Sequence, residues 1–256
     1  MIKIVLCGAC GRMGRAVAAM CEGSSEYVIT AGVDIMQAPS DAFPVYAKIC
    51  EYSGAADVLV DFSNPAALPD ILEYCLSKGI PAVLATTGYS DADIEKIKAA
   101  SERIPIFRSG NYSLGISVLA NLTARAAAVL SGFDIEIVEA HHAKKLDAPS
   151  GTALMLADAA ASARSDTQYT YDRHSVRRAR DKREIGISSI RGGTIIGEHE
   201  VIFAGQNEVV KLCHSAQSRE VFAAGALKAA GFICGVDKNG LYNMDELVAN
   251  LLSGVK

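Results

Sequence analysis

The sequence predicts an α/β fold in two parts, a doubly wound parallel sheet and a second α+β domain containing a mostly antiparallel sheet. Three observations carry this. Up to about residue 111, short apolar runs alternate with helical stretches, the pattern of successive β-α units. The first run ends in a glycine turn, Gly8-Ala9-Cys10-Gly11-Arg12-Met13-Gly14. Beyond residue 111 the periodicity changes to strand-like alternation between glycine turns, which marks half-buried strands.

Residues 2–6 are uniformly apolar, as expected of a strand buried on both faces. A helix follows over 13–22. Residues 27–34 form a second strand that ends in an acid. Residues 58–62, VLVDF, form a third, and Ser63-Asn64-Pro65 starts the next helix. An Asn cap with proline behind it is a helix N-terminus, and this helix runs to about 78. Strand 82–86, helix 91–101 and strand 104–108 complete the first pattern. Residues 113–130 are a long apolar helix. FDIEIVE at 133–139 alternates as a strand, and 152–163 is an Ala-rich helix. Residues 185–190, 194–203 and 208–214 are strand-like. Helices close the chain at 219–234 and 244–252. The expected domains are 1–111 plus 217–256 for a dinucleotide, and 112–216 for a substrate.

Composition narrows the function class. Half the residues are apolar, 21% are charged, and the net charge is −4. The whole chain therefore gives no reason to expect nucleic-acid binding. No apolar run reaches the ~18 residues of a membrane helix, and the first residues lack a signal-peptide pattern. The expectation is a soluble cytoplasmic protein. Seven scattered cysteines fit reduced thiols. Cys7 and Cys10 have C-x-x-C spacing, but no second pair exists to complete a zinc site.

The glycine turn follows a strand and opens a helix, so its amides would face a pyrophosphate. Together with the parallel sheet this makes the first domain Rossmann-type. The match to G-x-G-x-x-G is imperfect, because Cys10 takes the middle position and Gly11 lies beside it. Asp34 closes the second strand 20 residues after Gly14, where a carboxylate accepts from ribose hydroxyls. It would repel a 2′-phosphate, and Ile35 and Met36 offer no cation, although Arg12 is near. NADH is favoured and NADPH tolerated. Ala85-Thr86-Thr87-Gly88 and Ser109-Gly110-Asn111-Tyr112 end two further strands and should line the same cleft.

Residues 139–154, EAHHAKKLDAPSGTAL, combine proton donors with an anion site. His141 and His142 are adjacent and should point to opposite sides of a strand. Lys145 follows within three residues. Glu139 shares the face of His141, but no third ligand stands at a useful spacing, so no metal is expected. Asp147-Ala148-Pro149-Ser150-Gly151-Thr152 turns into a helix. Its first amides, at Ser150, Gly151 and Thr152, would hold a carboxylate with help from the helix dipole. A plain N-cap by Ser150 is compatible with that reading.

GACGRMG, DFSNP, ATTG, SGNYSLG, EAHHAKKLDAPSGTAL and GGTIIGEHEV occur in this order over nearly the whole chain. The chain resembles the 4-hydroxy-tetrahydrodipicolinate (dihydrodipicolinate) reductases. The resemblance implies NAD(P)H-dependent reduction of a cyclic dicarboxylate in the diaminopimelate route to lysine. It places His141 on the proton donor/acceptor and Lys145 on a second donor. His142, Gly151 and Thr152 fall on substrate contacts, and Arg219 on an arginine for the second carboxylate. Gly8, Ala9, Cys10, Gly11, Arg12 and Met13 fall on cofactor positions. So do Asp34, Ala85, Thr86, Thr87, Ser109, Gly110, Asn111 and Tyr112. Cys10 and Ala85 depart from a frequent glycine. The implied chemistry is loss of the 4-hydroxyl as water, hydride addition at C4, and protonation of C3 by a positioned cation. The implied assembly is a homotetramer built through the second domain's sheet, with domain closure during catalysis.

The sequence also admits two other readings. Another two-domain NAD(P)-dependent dehydrogenase of amino-acid metabolism, of the homoserine or aspartate-semialdehyde type, is the alternative enzyme. The semialdehyde class needs a nucleophilic cysteine, for which Cys213 and Cys234 are the candidates. The basic run RHSVRRARDKRE at 173–184 raises nucleic-acid binding. Without interleaved aromatics it reads instead as a solvated loop that draws an anion inward.

Overall fold

The computed structural model describes residues 1–37, 41–175 and 177–254. Residues 38–40, Val176 of the basic run, and 255–256 at the end of the expected dinucleotide domain lie outside the described residues. In chain order the elements begin β1 (Ile2–Cys7), α1 (Arg12–Cys21), β2 (Tyr27–Val33), β3 (Val45–Tyr46), β4 (Val58–Asp61) and α2 (Leu68–Lys78). They continue β5 (Ala82–Leu84), α3 (Asp91–Ser101), β6 (Pro105–Phe107), α4 (Leu114–Val129), β7 (Asp134–His141) and α5 (Gly151–Ala161). The last are β8 (Gln168–Thr170), β9 (Glu184–Arg191), β10 (Gly197–Ala204), β11 (Val209–Ala216), α6 (Glu220–Cys234), β12 (Gly240–Tyr242) and α7 (Met244–Ser253). They form two compact units, Met1–Ser113 with Glu220–Lys256, and Leu114–Arg219.

The first unit holds a seven-stranded sheet in the order β12-β6-β5-β4-β1-β2-β3. Every pairing in it is parallel. The chain order reverses beside β1, which is where such sheets bind ligands at their carboxyl ends. Helix boundaries follow local chemistry. Ser90 caps α3 through the Asp93 amide, and the Asp93 side chain reaches back. Asn64 accepts from the Ala66 amide and opens a short 3-10 turn ahead of α2. Gly79 ends α2 in the left-handed region at φ 64°. Strands β3 and β12 escaped the sequence because two or three residues carry no readable period.

The second unit holds a five-stranded sheet, β11-β10-β7-β9-β8. Here the expectation of a mostly antiparallel sheet is corrected. Only β11–β10 and β10–β7 are antiparallel, while β7–β9 and β8–β9 are parallel. The reason is α5, which lies between β7 and β9 in the chain. A helical crossover returns the chain in the same direction, whereas a tight turn would reverse it. Ile135, Ile137, Ile185, Ile187, Val201 and Phe203 share one core with α4 and α5. On α4 the buried Ile116, Leu119, Ala120, Thr123 and Ala127 recur at the spacing of one helix face.

Candidate active site

In the first unit the glycine turn joins β1 to α1. Gly8 sits at φ 75°, and a Cβ there would lie 2.5 Å from the Phe62 carbonyl oxygen. A Cβ on Gly14 would lie 2.1 Å from the Gly8 oxygen. Both positions therefore require glycine if α1 is to start against the strand ends. The Asp34 carboxylate accepts from the Cys10 amide at 3.0 Å and the Met36 amide at 2.9 Å. A cavity of about 500 Å³ opens here, lined among others by Gly8, Cys10, Gly11, Asp34, Met36 and Lys48. The expectation that the turn's own amides face a pyrophosphate is corrected, because those of Gly8, Cys10 and Gly11 donate to the Val33 carbonyl, Asp34 and the Gly8 carbonyl, which leaves the head of α1 as the place for an anion. Lys48 escaped the sequence reading because it reaches the cavity from beyond β3, far from the fingerprint.

Ala9 belongs to the same turn, and Arg12 and Met13 begin α1 with Arg12 exposed. Ala85, Thr86 and Thr87 follow β5, with Thr86 buried and Thr87 exposed. Ser109, Gly110 and Asn111 follow β6. Tyr112 differs from the expectation of a cleft-lining residue, since its side chain is buried. Its hydroxyl donates to the Leu84 carbonyl at 2.9 Å and so ties the ends of β5 and β6 together. Burial pushes its phenol up.

In the second unit the candidate catalytic residues extend the core rows of the sheet. Residues two apart on a strand share a face. On β7 the inward row therefore reads Ile135, Ile137, Glu139, His141, and on β10 Phe203, Val201, His199. Register places His199 opposite Glu139 and Arg191 opposite His141. One end of a hydrophobic sheet thus becomes polar.

The geometry there is tight. His141 Nδ1 lies 2.6 Å from Glu139 Oε2. Arg191 donates to both Glu139 oxygens, at 2.7 and 2.8 Å, and to the Asp147 carbonyl at 2.7 Å. Burial would raise the Glu139 carboxyl, but hydrogen bonds from Arg191, Ser189 and His141 bring it down to about 2. The His199 ring packs edge-on to His141 with centroids 5.2 Å apart. Burial, with His141 nearby, lowers His199 to about 4.

Ser150 shows why sequence and structure part over the anion site. Its hydroxyl caps α5 by accepting from the Ala153 amide and lies 3.0 Å from His199 Nε2. Its own amide donates to Glu139 at 3.1 Å. The expectation of a free Ser150 amide is therefore corrected, because a buried carboxylate takes it. Gly151 and Thr152 form the first turn of α5, where Gly151 is exposed. His142 is half-buried just past β7, and Lys145 Nζ pairs with Asp147 Oδ1 at 2.9 Å. Arg219 is exposed in the turn between β11 and α6. Arg191 and His199 went unnamed in the sequence. His199 lies inside GGTIIGEHEV, and Arg191 needed the parallel register to be seen.

Four arginines of the basic run are paired within their own unit. Arg173 and Arg178 pair with the buried Glu184, and Arg180 pairs with Asp134 and Glu136. Arg183 pairs with Asp181. Neither candidate cysteine is an activated thiol. Cys213 is held above its ordinary value by burial and Glu200, and Cys234 is pushed to about 11 by burial and Asp57. Among the described residues no three His, Cys, Asp or Glu side chains gather as a metal site, and no helix is long and apolar enough to cross a membrane.

Comparison with known proteins places these features. The family model described as dihydrodipicolinate reductase, N-terminus, matches residues 2–112, and the one for the C-terminus matches residues 115–248. A 4-hydroxy-tetrahydrodipicolinate reductase of Caldanaerobacter subterraneus subsp. tengcongensis is 51% identical over 97% of this chain and 98% of its own. One of Clostridium novyi is 44% identical over 97% and 98%. Among solved structures, the dipicolinate-bound dihydrodipicolinate reductase of Paenisporosarcina sp. TG-14 has a TM-score of 0.80 at 24% identity, covering 95% of this chain and 97% of that one. That likeness concerns the fold. With both family models matched in order and relatives aligned end to end, the chain belongs to the dihydrodipicolinate reductase family.

Proposed function

We propose that the chain reduces 4-hydroxy-tetrahydrodipicolinate to tetrahydrodipicolinate with NAD(P)H, in the diaminopimelate route to lysine. One observation carries the reading. The Glu139–His141 pair meets the Ser150 head of α5 at the polar end of the second unit's sheet, and Lys145 follows in the loop after β7. A bound nicotinamide supplies the hydride. The chain's own residues hold the dicarboxylate and supply the proton. The first turn of α5, through Gly151 and Thr152, receives one carboxylate with the helix dipole behind it. His142 and Arg219 are further substrate contacts. His141 and Lys145 are the proton donors to C3, and their positive charge stabilises the anion that forms there.

NADH is the favoured cofactor in this proposal. Asp34 offers acceptors to ribose hydroxyls and repels a 2′-phosphate, while Lys48 in the same cavity leaves room for NADPH. The protein acts in the cytoplasm. It assembles as a homotetramer through the sheet face opposite α4 and α5, where Ile190 and Val209 are more than half exposed. The deciding experiment is a coupled assay with pyruvate, aspartate semialdehyde and the upstream synthase. NADH is consumed only when the synthase product is present. Comparable turnover of simple 2-keto acids would overturn the assignment.

A further inference from the structure

We infer that Glu139, clamped by Arg191, is a positioning residue that keeps the His141 proton on Nδ1 and leaves Nε2 as the nitrogen that exchanges protons with substrate. The inference rests on the acid role of His141 proposed above. Four observations support it.

First, Glu139 Oε2 and His141 Nδ1 are 2.6 Å apart, and both residues are buried. An ionised carboxylate only accepts, so the ring nitrogen must donate. The partner of one ring nitrogen decides which tautomer the ring adopts. Second, Glu139 cannot turn away. Arg191 grips both its oxygens, and the Ser150 amide adds a third donor. A two-pronged guanidinium fixes the plane of the carboxylate as well as its charge. Third, the carboxylate stays ionised, since its donors hold it near 2 despite full burial. Fourth, space is left beside Nε2. A Cβ on Gly197 would lie 3.1 Å from it, so glycine keeps that nitrogen uncovered by a neighbouring side chain.

Proton bookkeeping then closes. The imidazolium carries protons on both nitrogens. It gives the Nε2 proton to C3 and becomes neutral, with the other proton still on Nδ1 and donated to the Glu139 carboxylate. Solvent returns a proton to Nε2 for the next turnover. The other charged or titratable groups around the ring are His199 and, beyond it, His214, with Lys145 and Asp147 in the loop after β7 and Arg191 on β9. His199 cannot replace Glu139. It is held at about 4, so it carries no charge near neutrality, and its Nε2 is engaged by Ser150.

The test compares Glu139→Gln, Arg191→Met, Arg191→Lys and His141→Gln in the full-length protein. Glu139→Gln is expected to lower kcat at least tenfold with the KM for NADH unchanged. It should also move the alkaline limb of the kcat–pH profile to lower pH, because the imidazolium loses its counter-charge. Arg191→Met follows the same pattern, and Arg191→Lys recovers part of the loss. Nitrogen chemical shifts of the His141 ring give a readout independent of turnover. The wild type shows the Nδ1-protonated neutral form, and Glu139→Gln loses that preference. If Glu139→Gln does not fold, the double variant Glu139→Gln, Arg191→Met removes both buried charges together and carries the test. Wild-type kcat, pH profile and ring tautomer in the Glu139 variant would overturn the inference. An active His141→Gln would instead overturn the acid assignment, while the ring tautomer still reports on Glu139.

Discussion

Asp34 Oδ2 accepts the Cys10 backbone amide at 3.0 Å, tying the end of β2 to the glycine turn after β1. The other oxygen takes the Met36 amide. The residue expected to read the ribose is thus also the residue that shapes the phosphate turn. It explains how a cysteine stands where the fingerprint has glycine. Only the backbone of Cys10 is used in this contact, and the carboxylate retains lone pairs for hydroxyl donors.

From that dual role, Asp34→Ala should raise the KM for NADH more than that for NADPH, because it removes a ribose acceptor and a repulsive charge together. Lys48→Ala should act in the opposite sense and weaken NADPH selectively. Wild-type protein should use NADH at least as well as NADPH. Side-by-side kinetics with both cofactors decide this, and a strong NADPH preference would show that a cation dominates the cavity.

Replacing His141 with Gln or Lys145 with Ala should lower kcat by ~10²-fold or more, the usual scale for an acid–base group. NADH binding should stay nearly intact, since the nucleotide residues lie in the other unit. Thr152→Val removes a carboxylate donor but no proton source, so its main effect should be a higher KM. Steady-state kinetics, with circular dichroism as the check on folding, separate the two classes. Near wild-type kcat in both His141→Gln and Lys145→Ala would place the chemistry elsewhere.

Ser150 is a structural joint between α5, β7 and β10. Ser150→Ala removes the cap of α5, a loss of about 1 kcal/mol, and strips His199 Nε2 of its buried partner, a further cost of roughly 1–3 kcal/mol. Urea unfolding should register the sum as an earlier midpoint with an unchanged slope. A midpoint within error of wild type would mean that neither contact matters to stability.

Acid should destabilise the protein in two overlapping steps. His199 falls from an ordinary 6.5 to about 4 on burial. The unfolded chain therefore binds that proton more readily, and the stability is complete above pH 6.5 and lost as pH falls toward 4. Linkage makes this worth about 3 kcal/mol. Glu139, lowered from 4.5 to about 2, contributes stability that is present above pH 4.5 and lost as pH falls through 2. Unfolding free energies measured from pH 7 to pH 4 should decline in the wild type and much less in His199→Gln. Equal declines would rule out His199 as the acid-sensitive group.

The sequence by itself determined the order of the first unit's main strands, the glycine turn, the Ser150 cap and the pairing of Glu139 with the His141 face. Each of these depends on residues close in the chain, where a period of two or a cap position is enough. It also carried the family, because EAHHAKKLDAPSGTAL keeps a long and specific motif in one stretch. Tertiary structure alone decided the rest. The second sheet is mixed because α5 carries the chain across it, a consequence of packing that strand periodicity does not encode. Arg191 and His199 meet Glu139 only through the registers of β9 and β10 against β7. The same is true of Arg173, Arg178 and Arg180 in the basic run, which find acids on β7 and β9. Local pattern shows which face of a strand a residue takes. Which residue stands opposite is settled when the strands pair.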